Sequence, residues 1–135
     1  MGFYSLNIQS RNTVEMIDIT SQVQSFIREN GVDDGICLVY CPHTTAGLTI
    51  NENADPDVQK DMIREINKIV PYNDNYAHME GNSAAHIKAT FTGLHVMIPV
   101  NQGRAVLGTW QGIYFCEYDG PRQRNVHIQI LREPN

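Results

Sequence analysis

Cysteine is scarce: Cys37, Cys41 and Cys116 are the three in 135 residues, an odd number that cannot build a disulfide framework. Cys37-x-x-x-Cys41 has no second cysteine pair to complete a zinc site, so the thiols read as buried, reduced and hydrophobic in behaviour. Long apolar runs are missing too. No stretch approaches the ~18 residues needed to span a bilayer, which argues against a membrane protein. The first residues, Met1 to Ser5, lack a basic segment followed by an apolar one, so the expected compartment is the cytoplasm. Leu6 stands where a myristoylation signal on Gly2 would need Ser or Thr, which argues against a lipid anchor. Basic residues are in deficit, ten Lys and Arg against fifteen Asp and Glu for a net charge of −5. That balance argues against a nucleic-acid partner and leaves room only for an isolated anion pocket. Internal repeats, low-complexity tracts and Pro/Gly/Ser-rich linkers are lacking, and the length suits one domain over residues 1–135. A Walker loop, a dinucleotide fingerprint and a Gly-x-Ser-x-Gly elbow are also lacking, which removes the common nucleotide-binding and serine-hydrolase classes.

What is present is a pattern of short strands and helices. Phe3 to Ile8 alternates apolar and polar residues and Val14 to Ile19 is β-branched, so Arg11-Asn12-Thr13 predicts a hairpin between them. Ser21-x-x-Gln24 has the form of a capping box before a short helix ending near Gly31. Gly35 to Tyr40 and Gly47 to Asn51 are strand-length apolar runs. Pro56 opens a helix with Val58, Met62, Ile63, Ile66, Ile69 and Val70 on one face and charges on the other, with Asn53 or Asp55 as its cap and Pro71 as its stop. Ser83 is placed to cap a second segment carrying Ala84, Ala85, Ile87 and Ala89. Between Gly93 and Cys116 only Arg104 is charged, which predicts burial on both faces, part of it against other subunits. Strands are expected at His95 to Val100, Ala105 to Trp110, Ile113 to Tyr118 and Asn125 to Leu131. Hairpin turns are expected at Asn101-Gln102-Gly103-Arg104 and Asp119-Gly120-Pro121. The sum is an α+β domain of mainly antiparallel strands with two to three helices.

Chemistry concentrates in a few places. No residue from Gly35 to Ile50 is charged, so a buried strand delivers His43, Thr44 and Thr45 into a poorly solvated position where each needs a partner. His78 and His86 bracket Glu80-Gly81-Asn82, a loop entering a helix whose free N–H groups suit an anion. His43, His78 and His86 fit two chemistries. An imidazole carries protons near neutral pH, and three neutral imidazoles with an open fourth position bind zinc. At the end of the strand after the His43 loop, Asn51 and Glu52 remain once capping is accounted for; Glu52 can accept a proton, orient a histidine or hold magnesium. His95, within a strand, is expected to be a hydrogen-bonded core residue, and His127 a surface one.

Glu117 and Asp119 share one face of a strand, and Arg122 and Arg124 share one face of the next. A hairpin would bring the pairs together, either as a cross-strand ion-pair ladder or as an anion site. In the second case the arginine forks grip phosphate and an acidic neighbour orients them.

Taken in order, these segments resemble the YjbQ-like family. They are Cys41-Pro42-His43-Thr44-Thr45-Ala46 with Ile50-Asn51-Glu52, His78-x-Glu80-Gly81-Asn82 with Ala85-His86, Gly108-Thr109-Trp110-Gln111-Gly112-Ile113, and Glu117-x-Asp119-Gly120-Pro121-Arg122-x-Arg124. The likeness covers essentially the whole chain and implies a β-sandwich-like α+β fold assembled as a homotrimer. It implies a pocket formed by the His43 loop, the His78 to His86 segment and the Arg122 region, near a subunit boundary. It further implies an enzyme acting on a small phosphorylated metabolite, associated with a weak, secondary thiamine phosphate synthase activity. In that reaction a pyrimidine carried on pyrophosphate joins a thiazole phosphate and pyrophosphate leaves, helped by arginine or magnesium. The rival expectation is a metal- or metabolite-binding homotrimer without efficient turnover.

Overall fold

Residues 3–134 are described by a computed structural model, and Gly2, discounted above as a lipid site, lies outside them. The elements run β1 (Tyr4–Gln9), β2 (Glu15–Asp18), α1 (Thr20–Glu29), β3 (Gly35–Tyr40), β4 (Ala46–Glu52), α2 (Pro56–Ile69), α3 (Ser83–Thr92), β5 (His95–Asn101), β6 (Arg104–Ala105), β7 (Gln111–Glu117) and β8 (Gln123–Arg132). They form a five-stranded sheet, β1-β8-β3-β5-β6, and a three-stranded sheet, β2-β7-β4, with antiparallel pairing throughout. The fold is the expected α+β arrangement, with three helices.

Alternation decides how these layers stack. Cys37 and Val39 of β3, Ile98 and Val100 of β5, and Val126, Ile128 and Ile130 of β8 point inward from the larger sheet. They meet Leu48, Ile113 and Phe115 of the smaller sheet and Ile19, Val23 and Ile27 at α1. The opposite face of β7 carries Tyr114 and Cys116, which pack with Tyr118 against Ala85 and Ala89 of α3 and Ile66 of α2. β7 is therefore covered on both sides, as its charge-poor sequence predicts.

Several local expectations are corrected. Arg11-Asn12-Thr13 is not a hairpin turn, because β1 pairs with β8 in one sheet and β2 with β7 in the other. Likewise Asp119-Gly120-Pro121, with a cis Gly120-Pro121 bond, joins the two sheets instead of two paired strands. The turn at Gln102-Gly103 does join paired strands, with positive φ at both residues as a tight hairpin requires. The strand expected over Ala105 to Trp110 stops at Ala105. Val106 and Trp110 are exposed, as are His95 and Met97, so two-sided burial of Gly93 to Cys116 holds only for β7 in a single chain. His95 is accordingly not a core histidine.

Helix starts also differ. Asp18, not Ser21, serves the first turn of α1, its Oδ1 accepting from the N–H and hydroxyl of Thr20 at 2.9 and 2.5 Å. Gln24 instead ties α1 to the β5–β6 hairpin, donating to Gly103 O and accepting from Ala105 N. Asp55 caps α2 by accepting from Asp57 N at 2.9 Å, as expected before Pro56. At α3 the preceding residue is Asn82 and neither it nor Ser83 caps through its side chain. The Asn82 amide is engaged instead at the cavity beside this helix.

Candidate functional site

Where the chain passes between the sheets, three segments meet around an open cavity of about 640 Å³. Pro42, His43, Thr44 and Thr45 come from the β3–β4 loop; His78, Glu80 and Asn82 come from the loop into α3 and His86 from its first turn; Asp119 and Arg122 come from the β7–β8 corner and Arg124 from the start of β8. Ten of the fourteen residues singled out in the sequence thus line one cavity. The corner, although not a hairpin, still brings the acidic pair to the arginines.

The two arginines are held differently. Arg124 is buried. It donates from Nε to Glu117 Oε1 at 2.9 Å, from Nη2 to Glu117 Oε2, and from the same nitrogen to Thr45 Oγ1 at 2.8 Å and Thr45 O at 3.3 Å. Glu117 has no exposed surface and also accepts from Ser10 Oγ at 2.7 Å and Asp119 N at 2.9 Å. Burial pushes its carboxyl up, but the Arg124 bond, the Asp119 N–H and the Ser10 hydroxyl together outweigh it and leave the pKa lowered. Glu117 therefore supports the cavity wall from behind and does not line it. Arg122 is half-exposed and donates from Nε to Asp119 O at 2.9 Å and from Nη2 to Asp119 Oδ2 at 3.0 Å. Asp119 Oδ2 also accepts from Asn82 Nδ2 at 2.9 Å, joining the corner to the start of α3. A carboxylate holding a guanidinium edge leaves the remaining N–H groups aimed by a fixed plane, which is the arrangement that grips a phosphoryl group.

The histidines form the other side. His43 Nε2 lies 3.0 Å from Asn125 N and 3.1 Å from Asn125 O, accepting from the N–H when the proton sits on Nδ1 and donating to the carbonyl in the other tautomer. Burial and the nearby Arg124 charge lower its pKa, so the neutral ring prevails at neutral pH. His78 and His86 meet edge to face with ring centroids 5.6 Å apart. Among the described residues no three His, Cys, Asp or Glu side chains are grouped closely enough to hold a metal ion. The three-histidine zinc set is thus not assembled.

Four expected residues lie off the cavity. Glu117 stands behind it, as above. Asn51 and Glu52 end β4 opposite Gly112 and Gln111, whereas the cavity residue Thr45 precedes the strand's other end. At ~3.3 Å per residue, seven residues of extended strand separate Glu52 from Thr45 by roughly 20 Å, too far for a shared proton or magnesium role. Gly81 stands outside with a positive φ, its N–H turned to His78 O at 3.2 Å instead of toward an anion. Sequence reasoning passed over Ser10, which links Glu117 to the backbone of Arg122, and Lys88, a fully buried lysine. A lysine in the alanine-rich stretch of α3 was the available signal for the second.

Comparisons with known proteins agree with this architecture. The family described as UPF0047 protein YjbQ-like matches residues 4–133. UPF0047 protein YugU of Bacillus subtilis is 52% identical over 128 residues, covering 94% of this chain and 97% of that protein. UPF0047 protein MJ1081 of Methanocaldococcus jannaschii is 47% identical, covering 95% and 93%. A crystal structure of an uncharacterised YjbQ/UPF0047 protein from Clostridium acetobutylicum superposes with a TM-score of 0.93 at 49% identity, covering 95% of this chain and 99% of that one. A YbjQ-like protein of unknown function from Sulfolobus solfataricus gives a TM-score of 0.93 at 34% identity, covering 97% and 96%.

Proposed function

The chain belongs to the UPF0047 YjbQ-like family, and on that premise we propose that it is an enzyme acting on a small phosphorylated metabolite in the cavity above. The observation that carries this reading is the meeting of Arg122 and Arg124 with His43, His78 and His86 around one opening. Arg122, aimed by Asp119, takes phosphoryl oxygens, and the buried Arg124 forms part of the wall. His78 or His86 passes a proton to or from the reacting group, while His43, neutral and tied to Asn125, orients substrate. Thr44, Thr45 and Asn82 supply neutral polar contacts.

Thiamine phosphate synthesis, as a secondary activity, fits this arrangement. A carbon–nitrogen bond forms between the pyrimidine methylene and the thiazole as the carbon–oxygen bond to pyrophosphate breaks. Pyrophosphate leaves with the electron pair, and the Arg122 guanidinium offsets its charge. Incubating purified protein with the two phosphorylated precursors tests the reading. Product formation is expected, with His86→Ala and Arg122→Ala each reducing it at least about ten-fold. Unchanged rates in both variants would remove these residues from the site.

The homotrimer is part of this proposal. Ile36, Tyr40, Met97 and Leu131 stand exposed on the outer face of the five-stranded sheet, with Ile36 opposite Leu131 and Met97 opposite Leu38, and an apolar face of this kind supports burial against other copies. Three buried, unpaired thiols support a reducing compartment and hence the cytoplasm. A second reading, metabolite or metal binding without turnover, draws on the close approach of His78 to His86. Stoichiometric zinc in untagged protein that forms no product would favour it.

A further inference from the structure

Lys88 lies on α3 with no exposed surface, and among the described residues its Nζ has no hydrogen-bond partner. Its polar head instead rests on the face of Tyr72, 3.5 Å from the ring centroid. An unpaired amine in such a place costs stability, and an apolar side chain of equal length would fill the space without that cost. The bonds made by Tyr72 give the amine a purpose. The Tyr72 hydroxyl donates to Tyr118 O at 2.6 Å, and Tyr118 precedes Asp119, which holds Arg122. From the other side, Thr92 Oγ1 donates to Lys88 O at 2.9 Å and accepts from the Tyr118 hydroxyl at 2.6 Å. The turn of α3 after His86 is thereby joined to the strand end that leads to Asp119.

We propose that Lys88 is a positioning residue for the anion cavity: its charge on the face of Tyr72 fixes the Tyr72 hydroxyl on the Tyr118 carbonyl and so sets Asp119 and Arg122 against the histidine wall of α3. A cation attracted to the ring face resists the whole ring swinging away from α3, and with the ring held there the hydroxyl at its end stays on the Tyr118 carbonyl. The proposal rests on the anion-binding reading above.

Inorganic sulfate, titrated calorimetrically, is the probe, with thermal unfolding measured on the same proteins. Lys88→Met is expected to unfold at the same temperature as the parent or higher, yet to bind sulfate about three- to ten-fold more weakly, the scale of a lost cation–aromatic contact. Tyr72→Phe, which keeps the ring and removes the hydroxyl, is expected to show a similar loss. The double variant should lose no more than either single one, because both act through one chain of contacts. Parental sulfate affinity in Lys88→Met, or additive losses in the double variant, would overturn the proposal. If Lys88→Met does not fold, Tyr72→Phe decides alone, and parental affinity there overturns it. Failure of the anion reading looks different: the parent itself would not bind sulfate, or Arg122→Ala would bind it as well as the parent does.

Discussion

Arg124 and Glu117 form a two-point ion pair, Nε to Oε1 at 2.9 Å and Nη2 to Oε2, with neither side chain more than 3% exposed. Their relationship separates the two arginines of the cavity. Arg124 is committed to Glu117 and Thr45, which compensate its charge, and contributes mainly its place in the wall. Arg122, bonded to Asp119 by one edge and half-exposed, is the one with donors to offer.

Breaking the buried pair from one side should therefore be severe. Glu117→Gln or Arg124→Met leaves the other charge buried, and each is expected to cost about 3–5 kcal/mol. The double variant should cost clearly less than the sum, because no lone charge remains. Urea unfolding of the parent, the two singles and the double makes the comparison.

Acid should act through the same carboxylate. The folded-state pKa of Glu117 is lowered from its ordinary value of 4.5, so the folded protein binds this proton less readily than the unfolded chain does. The stability gained is complete above that value and is lost as pH falls through the lower folded-state pKa. Urea midpoints measured from pH 6 to pH 3 should fall more steeply for the parent than for Glu117→Gln.

These elements also show where sequence patterns inform and where they stop. α2 was legible from Asp55, Pro56 and its periodic apolar face because helix signals are local. The strands were legible from alternation. Sheet membership was not, since whether β1 meets β2 or β8 depends on residues more than a hundred positions apart. The same reason explains the site. The histidines and arginines carried their chemistry in their identities, but nothing local told that Glu117 would be buried behind the wall or that Asn51 and Glu52 would close the far end of β4. Gln24 fitted a capping pattern, and a contact with the distant Gly103–Ala105 hairpin claimed it instead.

The cysteines should be inert in the folded protein. Burial pushes the Cys37 and Cys41 thiols up to about 11 and Cys116 up to about 12, leaving almost no thiolate at pH 8. A disulfide-exchange reagent at pH 8 should label none of the three within minutes, and all three once guanidinium is added. Rapid labelling of a native thiol would mean that the core opens locally.

Arg122→Ala should divide binding from stability. The Arg122–Asp119 pair is half-exposed on the arginine side, so its loss should change unfolding free energy by less than about 1 kcal/mol. Phosphate affinity, in contrast, should drop at least about ten-fold if the guanidinium makes two charge-assisted bonds. Calorimetric titration with inorganic phosphate beside a urea melt reads both quantities, and a variant that binds phosphate as the parent does would overturn the anion reading of this cavity.

Gly120→Ala should affect both at once. A β-carbon at this position would stand 2.3 Å from Asn12 O, 2.7 Å from Ser10 Oγ and 2.9 Å from Glu117 Cγ. Backbone oxygen cannot swing aside as a side-chain tip can, so the β1–β2 connection must shift. Ser10 moves with that connection, and its hydroxyl is the link between Glu117 and the Arg122 backbone. The added methyl is expected to cost about 1–3 kcal/mol by overpacking and, unlike Arg122→Ala, to weaken phosphate binding together with stability. Loss of stability with phosphate affinity intact would show that the corner carrying Arg122 is held independently of Ser10.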